Sequence, residues 1–117
     1  MKRGTQGRAG GEDRSFALRT ESSDAVERVR VTGEIDLSVV GRLDSEMRRA
    51  EATRARKIEL DLDQLDFLDA FGVRLLLDLD RRSRLNGRRL HIRPASSPQV
   101  RRVLELTGVG ELLPIDA

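Results

Sequence analysis

Four consecutive residues, Asp69, Ala70, Phe71 and Gly72, lie where an alternating strand pattern gives way to a helical one. The run K-I-E-L-D-L-D, which begins at Lys57, alternates as a strand does, and the apolar spacing after Phe71 is that of a helix. The start of a helix gathers unpaired backbone N–H groups and a partial positive charge, which favour an anion or a partner at that place. A phenylalanine occupies this position, and its residue type shapes the functional interpretation.

Two carboxylates, Asp36 and Asp69, stand at the predicted starts of two helices. Such a pair could perform acid–base chemistry or bind Mg²⁺, and each could equally cap a helix by accepting backbone N–H bonds. No nucleophile, glycine-rich phosphate loop or ligand at metal spacing accompanies them. The sequence has no cysteine and one histidine, His91, which excludes Cys-based and His-clustered metal sites. We therefore expect no enzyme, no catalytic residue, no metal and no cofactor.

The composition predicts one domain with a modest core. The chain has 117 residues, of which 38% are apolar and 36% charged. No apolar run approaches the length of a membrane span, so we expect a cytoplasmic protein without a membrane partner. Residues 1–14 are rich in Gly and Arg and lack periodicity, which predicts a disordered tail before a domain at residues 15–117.

The charges are unevenly distributed along the chain. Residues 59–80 carry seven acidic side chains, and residues 81–102 carry eight arginines and no acid. A basic block of this kind can bind nucleic acid. Because it contains no aromatic residue for base stacking and no known reader motif, we expect the arginines to be solvated surface instead.

Apolar periodicity predicts the order β-β-α-β-α-β-α. We expect strands at residues 16–20, 25–32, 57–63 and 89–93, and helices at 38–52, 71–85 and 98–107. The segment from Gly33 to Asp36 is expected to break the second strand, and Asp36 or Ser38 to cap the first helix. In the third strand Ile58, Leu60 and Leu62 alternate with charged residues, which predicts a half-exposed strand. Residues 112–115 should form a final packed turn or short strand, and the strands at 57–63 and 89–93 should be parallel.

Four segments together resemble a STAS domain of the bacterial anti-sigma-factor antagonist type. They are V-T-G-E-I-D-L at 31–37, L-D-L-D-Q-L-D-F-L-D-A-F-G-V at 60–73, L-N-G-R-R-L-H-I at 85–92 and V-R-R-V-L-E-L-T-G-V at 100–109. Each segment alone is weak, but the four in this order are specific. The resemblance implies an α/β fold: a STAS-like single domain with a mixed four- to five-stranded sheet and helices packed mainly on one face.

The resemblance also implies a function in bacterial signalling. Proteins of this family are regulators of transcription without catalytic activity of their own. They bind an anti-sigma factor, often a serine kinase of the histidine-kinase-like ATPase fold, and so release a sigma factor. The implied partner is therefore such an anti-sigma factor, and a sigma factor would be affected only indirectly. No direct nucleic-acid partner is implied, and we expect a monomer.

The sequence departs from the family at the loop that is usually phosphorylated. The family loop reads Asp-Ser-Ser/Thr-Gly, and its aspartate and glycine match Asp69 and Gly72. The phospho-acceptor position falls on Phe71 and the preceding serine on Ala70, neither of which has a hydroxyl. Phosphorylation normally breaks the complex by adding nearly two negative charges. The usual switch therefore cannot operate at this loop.

The matched positions give the predicted partner-binding residues: Asp36, Ser38, Asp69, Ala70, Phe71, Gly72 and Arg74. Phe71 is expected either to pack under the loop as core or to be an exposed anchor for a partner pocket, and we favour the anchor. Thr32 and Ser38 carry the hydroxyls nearest the loop in the layout of the family, and they are the alternative phosphorylation sites. As an alternative function, the domain could be an interaction subunit of another assembly that contains an ATPase, or of a stressosome-like complex.

Overall fold

Within residues 15–116, which the computed structural model describes, the chain forms five strands and three α-helices. The predicted tail at residues 1–14 lies outside the described residues. The elements are β1 (Phe16–Ser22), β2 (Val26–Ile35), α1 (Val40–Glu51), β3 (Lys57–Asp61), β4 (Leu65–Leu68), α2 (Ala70–Leu85), β5 (Leu90–Arg93) and α3 (Pro98–Thr107), followed by a short 3₁₀ turn at Val109–Glu111.

The strands form one mixed sheet in the order β1-β2-β3-β5, with β4 also paired to β2. β1 and β2 are antiparallel, whereas β2 with β3, β2 with β4 and β3 with β5 are parallel. The sheet is mixed and β3 is parallel to β5, and both features confirm what the sequence predicted. A single bridge between Ile92 and Ile115 extends the sheet toward the C-terminal segment, where Leu113 is buried.

The prediction that the second strand breaks at the segment from Gly33 to Asp36 is wrong. β2 continues to Ile35, and the register with β4 shifts between Gly33 and Glu34. Gly33 has φ +91°, and a Cβ there would lie 2.2 Å from the carbonyl oxygen of Ser15. Only glycine tolerates this conformation together with so close an approach, so the residue bends the strand without ending it.

The four-residue strand β4 was absent from the predicted order. It lies between the turn after β3 and the start of α2, and its two terminal leucines, Leu65 and Leu68, are buried. β4 pairs with the last part of β2, beyond the segment that pairs with β3. This pairing brings the end of β2 next to the start of α2, which builds the candidate site.

Helices α1 and α2 cover one face of the sheet. The side chains that lie between them and the strands alternate along β2 and β3, as predicted, and α1 contributes the stripe Leu43, Met47 and Ala50. Burial of such apolar side chains is the main force that holds the layers together. The strand residues of this core include Val29, Val31, Ile35, Ile58, Leu60, Leu90 and Ile92.

The other face of β3 is not half exposed, contrary to the prediction. Asp61 is 1% exposed and Glu59 is also buried. Arg28 forms an ion pair with Glu59, and the Nε of Arg30 lies 3.1 Å from the Oδ2 of Asp61. The alternation pattern misled because the parallel register places each acid directly opposite an arginine of β2. The arginine stems cover the carboxylates and neutralise them at the same time.

The starts of the helices confirm one predicted cap and correct another. Asp69 is the N-cap of α2, as expected, but the N-cap position of α1 is Val39, which makes no side-chain hydrogen bond. Helix α1 therefore begins at Val40, later than predicted, and Asp36 shapes the turn before it. Gly108, with φ +75°, ends α3 in the left-handed conformation.

Four of the eight arginines between residues 81 and 102 make structural contacts to α1, α2 or the segment after α1. Arg82 joins the two helices, because its guanidinium lies 2.8 Å from Asp44 and 3.1 Å from Glu51. Arg89 donates to three backbone carbonyls at the end of α1 and after it, at 2.6 to 3.0 Å. Arg81 and Arg84 pair with acids one turn earlier on α2.

Candidate functional site

The candidate site lies where β2 and β4 end side by side. The backbone N–H of Asp69 donates to the carbonyl of Ile35 at 3.1 Å, and Ile35 pairs with Leu68. The turn after β2 and the first turn of α2 are therefore neighbours at the carboxyl edge of two parallel strands. This edge is where α/β folds commonly bind ligands and partners. The predicted residues at 36–38 and 69–74 are thus brought together.

Asp36 organises the turn between β2 and α1. Its Oδ1 accepts the backbone N–H of Ser38 at 2.9 Å and the hydroxyl of Ser38 at 2.6 Å. Its carbonyl accepts the N–H groups of Val39 and Val40 at 3.1 and 3.2 Å. A carboxylate that binds its own backbone two residues on forms a local turn. Ser38 is exposed, but its hydroxyl is already bonded within this turn.

Asp69 fixes the start of α2. Its Oδ1 accepts the N–H of Gly72 at 3.0 Å, and its carbonyl accepts the N–H of Val73 at 3.0 Å. A side-chain cap of this kind stabilises a helix by about 1 kcal/mol. Gly72 is buried, and a Cβ on it would lie 2.3 Å from Cδ1 of Leu68 and 2.9 Å from Cγ2 of Ile35. The glycine therefore lets the first turn of α2 approach the ends of β2 and β4.

Phe71 is accessible at this helix start. It is 50% exposed, and it lines an open groove between α1 and α2 together with Val40 and Leu75. This geometry excludes the interpretation of Phe71 as a fully packed core residue. Ala70 and Arg74 are exposed beside it, and Arg74 has no ion-pair partner in the part of the chain that the structure describes.

Two further apolar side chains are exposed at the same end of the sheet, one within the predicted segment 36–38 and one that sequence reasoning missed. Leu37 follows Asp36 and is 60% exposed, and Phe67 precedes Leu68 and is 41% exposed. Phe67 was missed because β4 was absent from the predicted order, and burial along this short strand does not alternate. Exposed large apolar side chains near one another mark interaction surfaces.

The arrangement suits binding better than catalysis. Both acids of the site, Asp36 and Asp69, accept hydrogen bonds from the backbone beside them. Among residues 15–116, no three His, Cys, Asp or Glu side chains are grouped so that they could hold a metal ion. None of the helices in that range is long and apolar enough to cross a membrane. What the site offers a partner is an aromatic ring, a helix start and an unpaired arginine.

Comparisons with known proteins bear on the family and the fold of this chain. A family model described as "Mlab, STAS domain" matches residues 18–114. The chain is 24% identical over 99 residues to the anti-sigma-B factor antagonist of Staphylococcus aureus. The alignment covers 85% of this chain and 91% of that protein.

Solved structures with the same fold include two antagonists. An anti-sigma factor antagonist from Mycobacterium paratuberculosis superposes with a TM-score of 0.74 at 26% identity, covering 86% of this chain and 85% of that one. The antagonist SpoIIAA in its unphosphorylated form gives a TM-score of 0.69 at 24% identity, covering 86% and 89%. Because the family model spans most of the described residues and the folds superpose, the chain belongs to the STAS domain family.

Proposed function

We propose that this STAS domain is an anti-sigma-factor antagonist, which binds an anti-sigma factor and so releases a sigma factor. The observation that carries the proposal is the accessible ring of Phe71 at the capped start of α2, beside the turn that Asp36 organises. The names of the relatives from S. aureus and M. paratuberculosis support the same function. The partner-binding residues are then Asp36, Ser38, Asp69, Ala70, Phe71, Gly72 and Arg74.

The partner in this proposal is an anti-sigma factor with a histidine-kinase-like ATPase fold. The domain acts as a monomer in the cytoplasm and has no catalytic role. Phosphorylation at the loop does not switch it, because neither Ala70 nor Phe71 carries a hydroxyl. Incubation with the partner and ATP should leave residues 69–73 unmodified. Stoichiometric phosphate on Ser38 or Thr32 would contradict the proposal that phosphorylation does not regulate this protein.

Phe71 can supply a useful share of the binding energy. A fully buried phenylalanine covers about 150–250 Å² of surface, so an exposed half leaves roughly 100 Å² for a partner. At about 25 cal/mol per Å² this amounts to about 2.5 kcal/mol, or roughly 70-fold in affinity. An acidic residue at this position would lose that contact and imitate the charge of a phosphate.

A pull-down from the native host tests the proposal. Wild type, Phe71→Glu and the control Leu85→Glu are compared, and the retained proteins are identified by mass spectrometry. Leu85 is 80% exposed at the far end of α2, so it adds the same charge to the same helix away from the site. We expect wild type and Leu85→Glu to retain an anti-sigma factor and Phe71→Glu to lose it. Equal retention by all three variants would contradict docking at the loop.

A second function is favoured by a separate observation. The family model that matches is described as "Mlab, STAS domain", and the loop lacks both hydroxyls of the antagonist pattern. The domain would then be a permanent interaction subunit of another ATPase-containing or stressosome-like assembly. Stable co-purification with a large complex that contains no anti-sigma factor would favour this function over the antagonist.

We propose no direct contact with nucleic acid through the arginine block. Arg82 and Arg89 are engaged with α1 and the segment that follows it, which leaves fewer free cations than the sequence suggests. Binding through phosphates would depend steeply on salt. A gel shift at low salt that disappears as salt rises would contradict this part of the proposal.

A further inference from the structure

A groove runs from Phe71 along the line where α1 and α2 lie side by side. Its volume is about 450 Å³, and it is open to solvent. At the end near the loop its lining is apolar, with Phe71, Val40 and Leu75. Farther along, the lining is charged on both helices. These charged residues are Asp44 and Arg48 on α1, and Arg74, Asp78, Arg81 and Arg82 on α2.

The groove carries a net positive charge. Its lining has four arginines and two aspartates, which gives 4 − 2 = +2. Arg82 forms ion pairs with Asp44 and Glu51, and these contacts hold its half-buried side chain in place. Arg74 has no ion-pair partner in the described range, and Arg81 lies 3.6 Å from Asp78 with both side chains exposed. The Nε of Arg48 lies 3.1 Å from the Oδ2 of Asp44. The lining arginine without an ion-pair partner among residues 15–116 is therefore Arg74, one helical turn from Phe71.

Gly41 keeps the α1 side of this groove open. It lies in the first turn of α1, is exposed, and lines the groove next to Val40. A Cβ placed on Gly41 would meet no atom within 4 Å. A larger side chain there would project into free space and not into the core. The groove is thus accessible because this residue is small.

We propose that the α1–α2 groove binds an acidic amphipathic segment of the partner protein. An apolar side chain of that segment packs between Phe71, Val40 and Leu75, and a carboxylate about one turn away pairs with Arg74. Charge complementarity selects an acidic segment, because the groove carries +2 and Arg74 adjoins the apolar end. This inference rests on the proposed function and extends its docking surface from the loop along both helices.

The groove is tested with two substitutions outside the segment from Asp69 to Gly72. Gly41→Trp fills the groove, and Arg74→Glu reverses the charge. Leu85→Trp is the matched control, because Leu85 is exposed at the far end of α2 and does not line the groove. Affinity for the anti-sigma factor that wild type retains is measured by titration calorimetry at two salt concentrations. Thermal unfolding verifies that each variant is folded.

We expect Leu85→Trp to bind as wild type does, and Gly41→Trp and Arg74→Glu to bind at least tenfold more weakly. The salt dependence of binding should become smaller in Arg74→Glu, because an ion pair has been removed. If Gly41→Trp and Arg74→Glu bind as wild type does while Phe71→Glu does not, the groove is not part of the interface although the loop is. If wild type retains no partner, or Phe71→Glu binds normally as well, the proposed docking and this inference fail together.

A cross-link gives an independent readout. A benzoylphenylalanine at position 48, an exposed position in the lining of the groove, should attach to an acidic segment of the partner, and the same group at position 85 should not. Attachment from position 48 to a basic segment or to nucleic acid would overturn the stated chemistry of the occupant.

Discussion

Replacing Gly72 by alanine should destabilise the protein, although the same exchange inside a helix usually stabilises it. Gly72 lies in the first turn of α2, where alanine is intrinsically favoured by about 1 kcal/mol. The structure opposes this gain. The new Cβ would lie 2.3 Å from Cδ1 of Leu68 and 2.9 Å from Cγ2 of Ile35, and both of these side chains are fully buried.

The magnitude follows from these two opposing effects. Forcing one extra carbon into a packed core costs about 1–3 kcal/mol. Because two buried side chains must move, we take the upper value, and the net loss is about 3 minus 1, or roughly 2 kcal/mol. For a domain of this size that corresponds to a fall in Tm of roughly 8 °C.

Urea unfolding followed by circular dichroism measures the effect, and Gly41→Ala is the matched control. Gly41 also lies in the first turn of a helix, but its Cβ would meet no atom within 4 Å. We therefore expect Gly41→Ala to be as stable as wild type or up to about 1 kcal/mol more stable. The two alanine variants should differ by roughly 2–3 kcal/mol in the free energy of unfolding.

A Gly72→Ala variant as stable as wild type would refute the described approach of α2 to the sheet. A double-mutant cycle with Leu68→Ala locates the cause. Alone, Leu68→Ala should cost about 2–5 kcal/mol, since it leaves a cavity. In the Gly72→Ala background the new methyl group occupies part of that cavity, so the cost should be smaller by about 1 kcal/mol or more.

The remaining predictions concern the contacts that hold α1 in place. Burial disfavours the charged form of Asp44, but hydrogen bonds from Arg82 and Arg48 outweigh it and keep its pKa below the ordinary value of 3.8. The folded state then binds the proton less readily than the unfolded state, so this stabilisation is present above about pH 4 and is lost as the pH falls below it. Asp44→Asn should cost about 1–2 kcal/mol at pH 7 and little at pH 2, as measured by urea unfolding at both pH values. Arg89→Met should cost about 2–4 kcal/mol in the same assay at pH 7, because three backbone carbonyls lose their donor, and a loss below 1 kcal/mol would contradict this role.

Periodicity predicted most of the fold because the apolar stripes are strong. The stripe Leu43, Met47 and Ala50 is buried as predicted, and so are the apolar residues of β3, Ile58 and Leu60. The sequence could not reveal the partners of the charged residues. The burial of Asp61 depends on Arg30, which lies 31 residues earlier and comes opposite it only through the parallel register.

The candidate site was predictable in its position but not in its shape. The D-A-F-G segment indicated a helix start, and Asp69 caps α2 as expected. Asp36 forms a local turn and does not cap α1, because β2 continues to Ile35. The sequence pattern did not show this continuation, which passes through the register shift between Gly33 and Glu34. The groove beside Phe71 results from the packing of two helices, which local sequence patterns do not encode.

Release of a sigma factor tests the central claim most directly. The anti-sigma factor retained in the pull-down is loaded with its labelled sigma factor, and this protein is added while displacement is followed by fluorescence anisotropy. Wild type and Leu85→Glu should displace the sigma factor, and Phe71→Glu should need at least tenfold higher concentrations. Binding of wild type without displacement, or equal displacement by Phe71→Glu, would contradict an antagonist that acts through this loop.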